Sequence, residues 1–140
     1  MTLIETIQFA VKNKRSDLIY DSFIFKDVKR KKEALLFFIK VLEEDTIGKS
    51  FVCILIDLIR NPHELNEPCF VYTFLQEAVL SDKIEFFNLL LLNGASLDAL
   101  SKSGMSGYDL IFNKGSNKFL DFIIDYENTL TEVLSKTVRN

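Results

Sequence analysis

The sequence predicts an all-α protein of stacked helix–turn–helix units, a solenoid of about four repeats closed by a short C-terminal helix. Three observations lead there. Two stretches one repeat period apart, VYTFLQEAVLSDKIEFFNLLL from Val71 and GMSGYDLIFNKGSNKFLDFII from Gly104, set apolar, polar and turn residues at matching places. The 140 residues hold only 2 Pro and 5 Gly against 13 Phe, so helix breakers are few and the bulk to bury is large. Apolar residues also recur at helical spacing along most of the chain.

Each element follows from local chemistry. IETIQFAVKNKRSDLIYDSFIF (4–25) reads helix, break, helix, with Ala10 lying two periods before Ala78. EALLFFIKVLEED and IGKSFVCILIDLIRNP then form a longer helical pair with no glycine stop. Pro62 ends the second of these, and HELNEP supplies an outgoing loop. In the two clear units a hydroxyl opens the first helix, Thr73 in one and Ser106 in the other, because its oxygen accepts from unpaired N–H groups of the first turn. The short breaks also coincide, Ser81–Asp82–Lys83 with Lys114–Gly115–Ser116. Gly94 ends a second helix in the left-handed conformation. Thr129 with Glu132 makes a capping box for a final helix over 129–138, whose face of Leu130, Val133, Leu134 and Val138 covers the end of the stack.

The resulting organisation is one domain, 1–140, with repeats at roughly 2–30, 31–68, 69–101 and 102–128 and the cap at 129–138. Leu75, Ala78, Phe86, Leu90, Leu91, Phe119 and Ile123 are the expected core between adjacent units.

These two units resemble the ankyrin repeat, with a period of about 33 residues and a T-P-L-H-x-A opening. GMSGYDLI fits that frame with Ser106 in the Thr place and Tyr108 in the Leu place; TFLQEA matches at Thr73, Leu75 and Ala78. LLLLNGASLD looks like the family's second helix, its glycine stop and the outgoing loop. Phe74 and Gly107 stand in place of the Pro, and Gln76 and Asp109 in place of the His that ties neighbouring loops in the family. The likeness is good over 71–126 and extends to 4–66 only in outline.

Composition narrows the function. Residues 1–70 carry 11 basic and 11 acidic side chains and residues 71–140 carry 6 and 9, so the acidic C-terminal half argues against nucleic acid as a partner. One basic run, KDVKRKK from Lys26 to Lys32, reads as a solvated connector between helices rather than an import or phosphate-binding patch. No stretch is long and apolar enough to span a bilayer, and no leader pattern is seen, so a cytoplasmic setting is expected. Cys53 reads as a small buried hydrophobe. His63, the sole histidine, stands in an expected loop six residues from Cys69, too sparse a set for a metal site or nucleophile pair. IGKS (47–50) lacks the glycine a phosphate loop needs five residues earlier, where Glu43 stands. No cofactor or metal and no enzymatic activity are expected.

What remains is a surface. The ankyrin resemblance implies a concave, protein-binding side formed by outgoing loops and first helices. Its positions here are Cys69, Phe70, Tyr72, Leu80 and Ser81 in one unit and Leu100, Lys102, Ser103, Met105, Asn113 and Lys114 in the next. Phe70, Tyr72, Leu100 and Met105 are apolar for loops; they are either contact anchors or tucked into the core. The implied role is a monomeric adaptor or effector, the latter delivered into a host cell. The alternative is an immunity-type inhibitor that shields a toxin or enzyme active site.

Overall fold

Eight helices and no strand form among the described residues of the computed structural model, which are 3–15, 17–18, 27–59, 61–114 and 117–138. They are α1 (Leu3–Lys12), α2 (Val28–Val41), α3 (Thr46–Ile59), α4 (Pro62–Asn66), α5 (Phe74–Leu80), α6 (Ile84–Leu92), α7 (Gly107–Lys114) and α8 (Asn117–Val138). Helix pairs α2–α3, α5–α6 and α7–α8 lie side by side and build two rows. One row runs α1, α2, α5, α7, each packed on the next. The other runs α3, α6, α8, where Phe87 of α6 meets Phe119 and Phe122 of α8 edge-on at 5.3 and 5.6 Å between ring centroids.

The matched spacing of the sequence reappears as matched geometry. Thr73 caps α5 with its hydroxyl accepting from Gln76 N–H at 3.2 Å, and Ser106 opens α7 with its hydroxyl accepting from Asp109 N–H at 3.1 Å. In each case the fourth residue reaches back to the cap N–H: Gln76 to Thr73 at 3.1 Å, Asp109 to Ser106 at 3.1 Å. Helix α6 ends as expected. Gly94 takes φ +103°, its N–H donating to Leu91 C=O and that of Ala95 to Leu90 C=O, which satisfies two carbonyls of the last turn.

Of the expected core, Leu75, Ala78, Phe86, Leu90, Phe119 and Ile123 are buried, and Leu91 is half-buried against them. Phe38, Phe51, Phe74 and Leu55 extend the same core toward α2 and α3. Polar ties run between adjacent units as well. The Glu44 carboxylate accepts from Phe86 N–H at 2.8 Å in the first turn of α6, a helix with no side-chain cap of its own, and Lys83 Nζ donates to Leu42 C=O. Asn66 brackets the loop after α6, donating to Gly94 C=O and accepting from Ser96 N–H.

Several expectations are corrected. The terminal cap over 129–138 is no separate helix: α8 runs unbroken from Asn117 to Val138. Neither Gly nor Pro interrupts it, and Thr129 and Thr131 turn their hydroxyls back to the carbonyls of Asp125 and Glu127, the habit of mid-helix threonine rather than of a cap. The HELNEP loop is largely helix α4, which Asn61 caps with Pro62 in its first turn. From Asp27 on, the KDVKRKK run is no connector; Asp27 caps α2 and Lys29, Lys31 and Lys32 lie in its first turns, where Lys32 pairs with Glu64 and Glu67. Cys53 is exposed, because Phe51, Val52, Leu55 and Ile56 take the inward face of α3. The second helix of the first unit falls largely on 16–26, and the break after Lys114 on 115–116, outside the described residues.

Two glycines are fixed by close approach. A Cβ on Gly48 would stand 2.0 Å from Glu43 C=O, so IGKS owes its glycine to the tight corner between α2 and α3. A Cβ on Gly107 would come within 3.0 Å of Leu97 C=O, the acceptor for Gly107 N–H. That contact explains a glycine in a first helical turn despite its poor helix propensity.

Truncating Phe119 to Ala removes a buried ring and its edge-on contact with Phe87, and should cost about 3–5 kcal/mol in chemical denaturation. A second expectation concerns acid. Burial holds the Glu77 carboxyl above its ordinary 4.5, although Lys40, 3.7 Å away, pulls it partly back. A raised folded pKa means that ionised Glu77 costs stability at neutral pH, and that this cost vanishes as pH falls through the folded value. Glu77→Gln should therefore melt above the parent at neutral pH, and the two should converge on acidification.

Candidate functional site

Two loops lead into the first-row helices, 69–72 before α5 and 100–105 before α7, and they lie side by side. Lys102 N–H donates to Val71 C=O at 2.9 Å, joining them directly. Each also closes on itself, Cys69 N–H to Tyr72 C=O at 3.2 Å and Ser101 N–H to Met105 C=O at 2.8 Å. The Ser101 hydroxyl accepts from Met105 N–H and shares a hydrogen with Ser103.

Beneath them sits Gln76, whose side chain has no exposed surface. Its oxygen accepts from Thr73 N–H, and its amide nitrogen donates to Met105 C=O at 2.8 Å and more weakly to Ala99 C=O at 3.4 Å. One amide thus caps its own helix and pins the next loop. Asp109, at the equivalent place in the next unit, only caps its own helix.

The eleven sequence-predicted positions divide into two groups. Cys69, Phe70, Tyr72, Leu100, Lys102, Ser103 and Met105 come together on the joined loops. Leu80, Ser81, Asn113 and Lys114 lie at the opposite ends of α5 and α7, roughly 10 Å away along those short helices. The helices run parallel: Gln76 and Met105 meet at one end, and Lys118 pairs with Asp82 at the other, at 2.9 Å.

Burial also separates the four apolar loop residues. Phe70 and Leu100 are 55% and 54% exposed, whereas Tyr72 is half-buried and Met105 packs on the core. Sequence reasoning missed Val71, which is 49% exposed between Phe70 and Tyr72. It also missed a cavity of about 350 Å³ beside Phe70, lined by Lys29, Lys32, Glu33, Glu64, Cys69 and Phe70. Proximity in the chain was the available signal for Val71. The α2 residues gave none, because the repeat register is weak there.

The chemistry of this surface is mild. Burial pushes the Cys69 thiol upward, toward the protonated, unreactive form. His63 lies on α4 rather than in a loop, is largely exposed and hydrogen-bonds the Glu67 carboxylate at 2.8 Å. No cluster of His, Cys, Asp and Glu able to hold a metal occurs among the described residues, and none of their helices is long and apolar enough to cross a membrane. Comparisons with protein-family models, with curated proteins and with solved structures find no match to this chain.

Replacing Gln76 by Leu preserves bulk but strands Thr73 N–H and takes from Met105 C=O one of its two donors, leaving it only Ser101 N–H. An unpaired buried group costs about 1–3 kcal/mol, so a global loss of that order is expected. Hydrogen exchange at Ser101 and Lys102 should accelerate more than at Leu55, since their loop loses its anchor first.

Proposed function

We propose that this chain is a divergent ankyrin-type repeat protein without enzymatic activity, which binds a protein partner through the joined loops 69–72 and 100–105. The observation that carries this reading is the pair Phe70 and Leu100, more than half exposed on loops that a backbone hydrogen bond and the buried Gln76 amide hold rigid. Apolar side chains on a fixed scaffold lose little entropy on contact, and burying each contributes roughly 1.5–3 kcal/mol. Lys102 and Ser103, both exposed, form a polar rim beside them. The capping boxes one period apart and the glycine-ended α6 support the ankyrin resemblance. Gln76 performs the loop-tying role that the resemblance assigns to a histidine.

A second reading, the immunity-type inhibitor, has support in exposed Asp121, Asp125 and Glu132 on α8, which would face a basic substrate cleft.

Phe70→Asp with Leu100→Asp is the direct test, because neither side chain belongs to the core. The double variant should keep its helicity and lose whatever protein the parent retains in affinity capture. Undiminished retention would move the contact surface away from these loops. Tyr72 and Met105 are poorer targets, since charge placed there strikes the packing.

A further inference from the structure

The stop that ends α6 also sets a reactive pair of residues in solvent. Of the chain's asparagines only Asn93 precedes a glycine. With no Cβ on Gly94, its backbone nitrogen can turn onto the Asn93 side-chain carbonyl more freely than in any other Asn–X pair. Both residues are exposed, and Asn93 lines a cavity of about 370 Å³ beside Asn61 and Pro62, so water is at hand. The folded cap opposes the reaction. Gly94 N–H donates to Leu91 C=O at 3.2 Å and the Asn93 amide donates to Leu89 C=O at 2.7 Å, which commits both reacting groups elsewhere. Asn93 has ψ 14°, and ring closure needs that angle turned far enough to pull Gly94 N–H off its carbonyl. Asn66 of α4 clamps the peptide groups that follow, donating to Gly94 C=O at 3.1 Å and accepting from Ser96 N–H at 2.7 Å.

We propose that Asn93 is a site of spontaneous deamidation gated by the α6 stop, and that Asn66, from the preceding unit, sets how often the gate opens. In the open form the Gly94 nitrogen attacks Asn93 Cγ and a new C–N bond forms. The side-chain nitrogen leaves as ammonia, taking the proton from Gly94, and a succinimide ring remains. Water then cleaves one of the two ring C–N bonds. Breaking the bond to Cγ gives aspartate. Breaking the bond to the backbone carbon gives an isoaspartyl linkage, in which the chain runs through the side chain and is one methylene longer. Either product puts a carboxylate at the carbonyl end of α6, where the helix dipole repels it, and removes the donor to Leu89 C=O. The longer linkage also displaces Gly94 and Ser96 from Asn66. Beyond them stands Leu97, whose C=O accepts from Gly107 N–H at 2.8 Å where α7 begins. The modification therefore loosens α7 from α6, whatever the chain binds.

Peptide mapping by mass spectrometry, with isoaspartate read by enzymatic methyl transfer, follows Asn93 in the full chain at neutral to mildly alkaline pH. The native chain should deamidate there at least about tenfold more slowly than the chain unfolded in urea, because the cap must open first. Asn66→Ala loses both clamping bonds and should speed the native reaction about tenfold. Asn66→Asp keeps the acceptor for Ser96 N–H, so its rate should fall between the two, and it carries the test if the Ala variant does not fold. The native rate should stay flat in urea well below the unfolding transition, since a local opening exposes little new surface. A native rate equal to the unfolded one would overturn the proposal. So would a rate unchanged in whichever Asn66 variants fold, or one that climbs with the first urea in step with global unfolding.

Discussion

The buried amide of Gln76 holds the two best-formed units in register. Its three polar contacts satisfy a helix N–H on one side and loop carbonyls on the other, so α5 and the 100–105 loop cannot shift independently. A charged or purely apolar residue in its place would lack either the donor or the acceptor. The joined loops, and the exposed Phe70 and Leu100 they present, inherit their rigidity from this contact. Around it, Asn66, Glu44 and Lys118 repeat the principle at other levels of the stack, each a side chain of one unit bonded to backbone of an adjacent one.

Much of this architecture was legible in the sequence wherever local chemistry decides the outcome. Thr73 and Ser106 announce their caps, Gly94 announces a left-handed stop, and Phe86 and Phe119 fall on the buried faces that the shared period assigns them. What failed was decided by competition between local signals. Thr129 and Glu132 spell a capping box, yet with no breaker upstream α8 is already helical there and the hydroxyl finds a carbonyl one turn back. Asn61 and Pro62 likewise open a helix in a stretch read as loop, although the preceding helix does end, at Ile59, as the proline led one to expect.

The candidate surface was legible as a set of positions but not as a shape. Residue type marked Phe70, Tyr72, Leu100 and Met105 alike, and only packing shows that the first and third face outward while Met105 joins the core. Gln76 was noticed as a departure from a pattern. That an amide can cap its own helix and pin a neighbour with opposite ends of one side chain needs the loop carbonyls in place, and those come from residues 23 and 29 positions away.

Helix α5 is only seven residues long, and everything from Thr73 to Val79 is buried. Isolated helices shorter than about 12–15 residues are marginal in water, because nucleation outweighs the few hydrogen bonds gained. Helix α5 therefore has no independent existence and forms only as α2, α6 and α7 close around it. The longer α2 and α3, with 14 residues each, and α8, with 22, lean less on their surroundings. Helix length thus sets how far each element depends on its neighbours, and the element at the centre of the finished stack depends on them most.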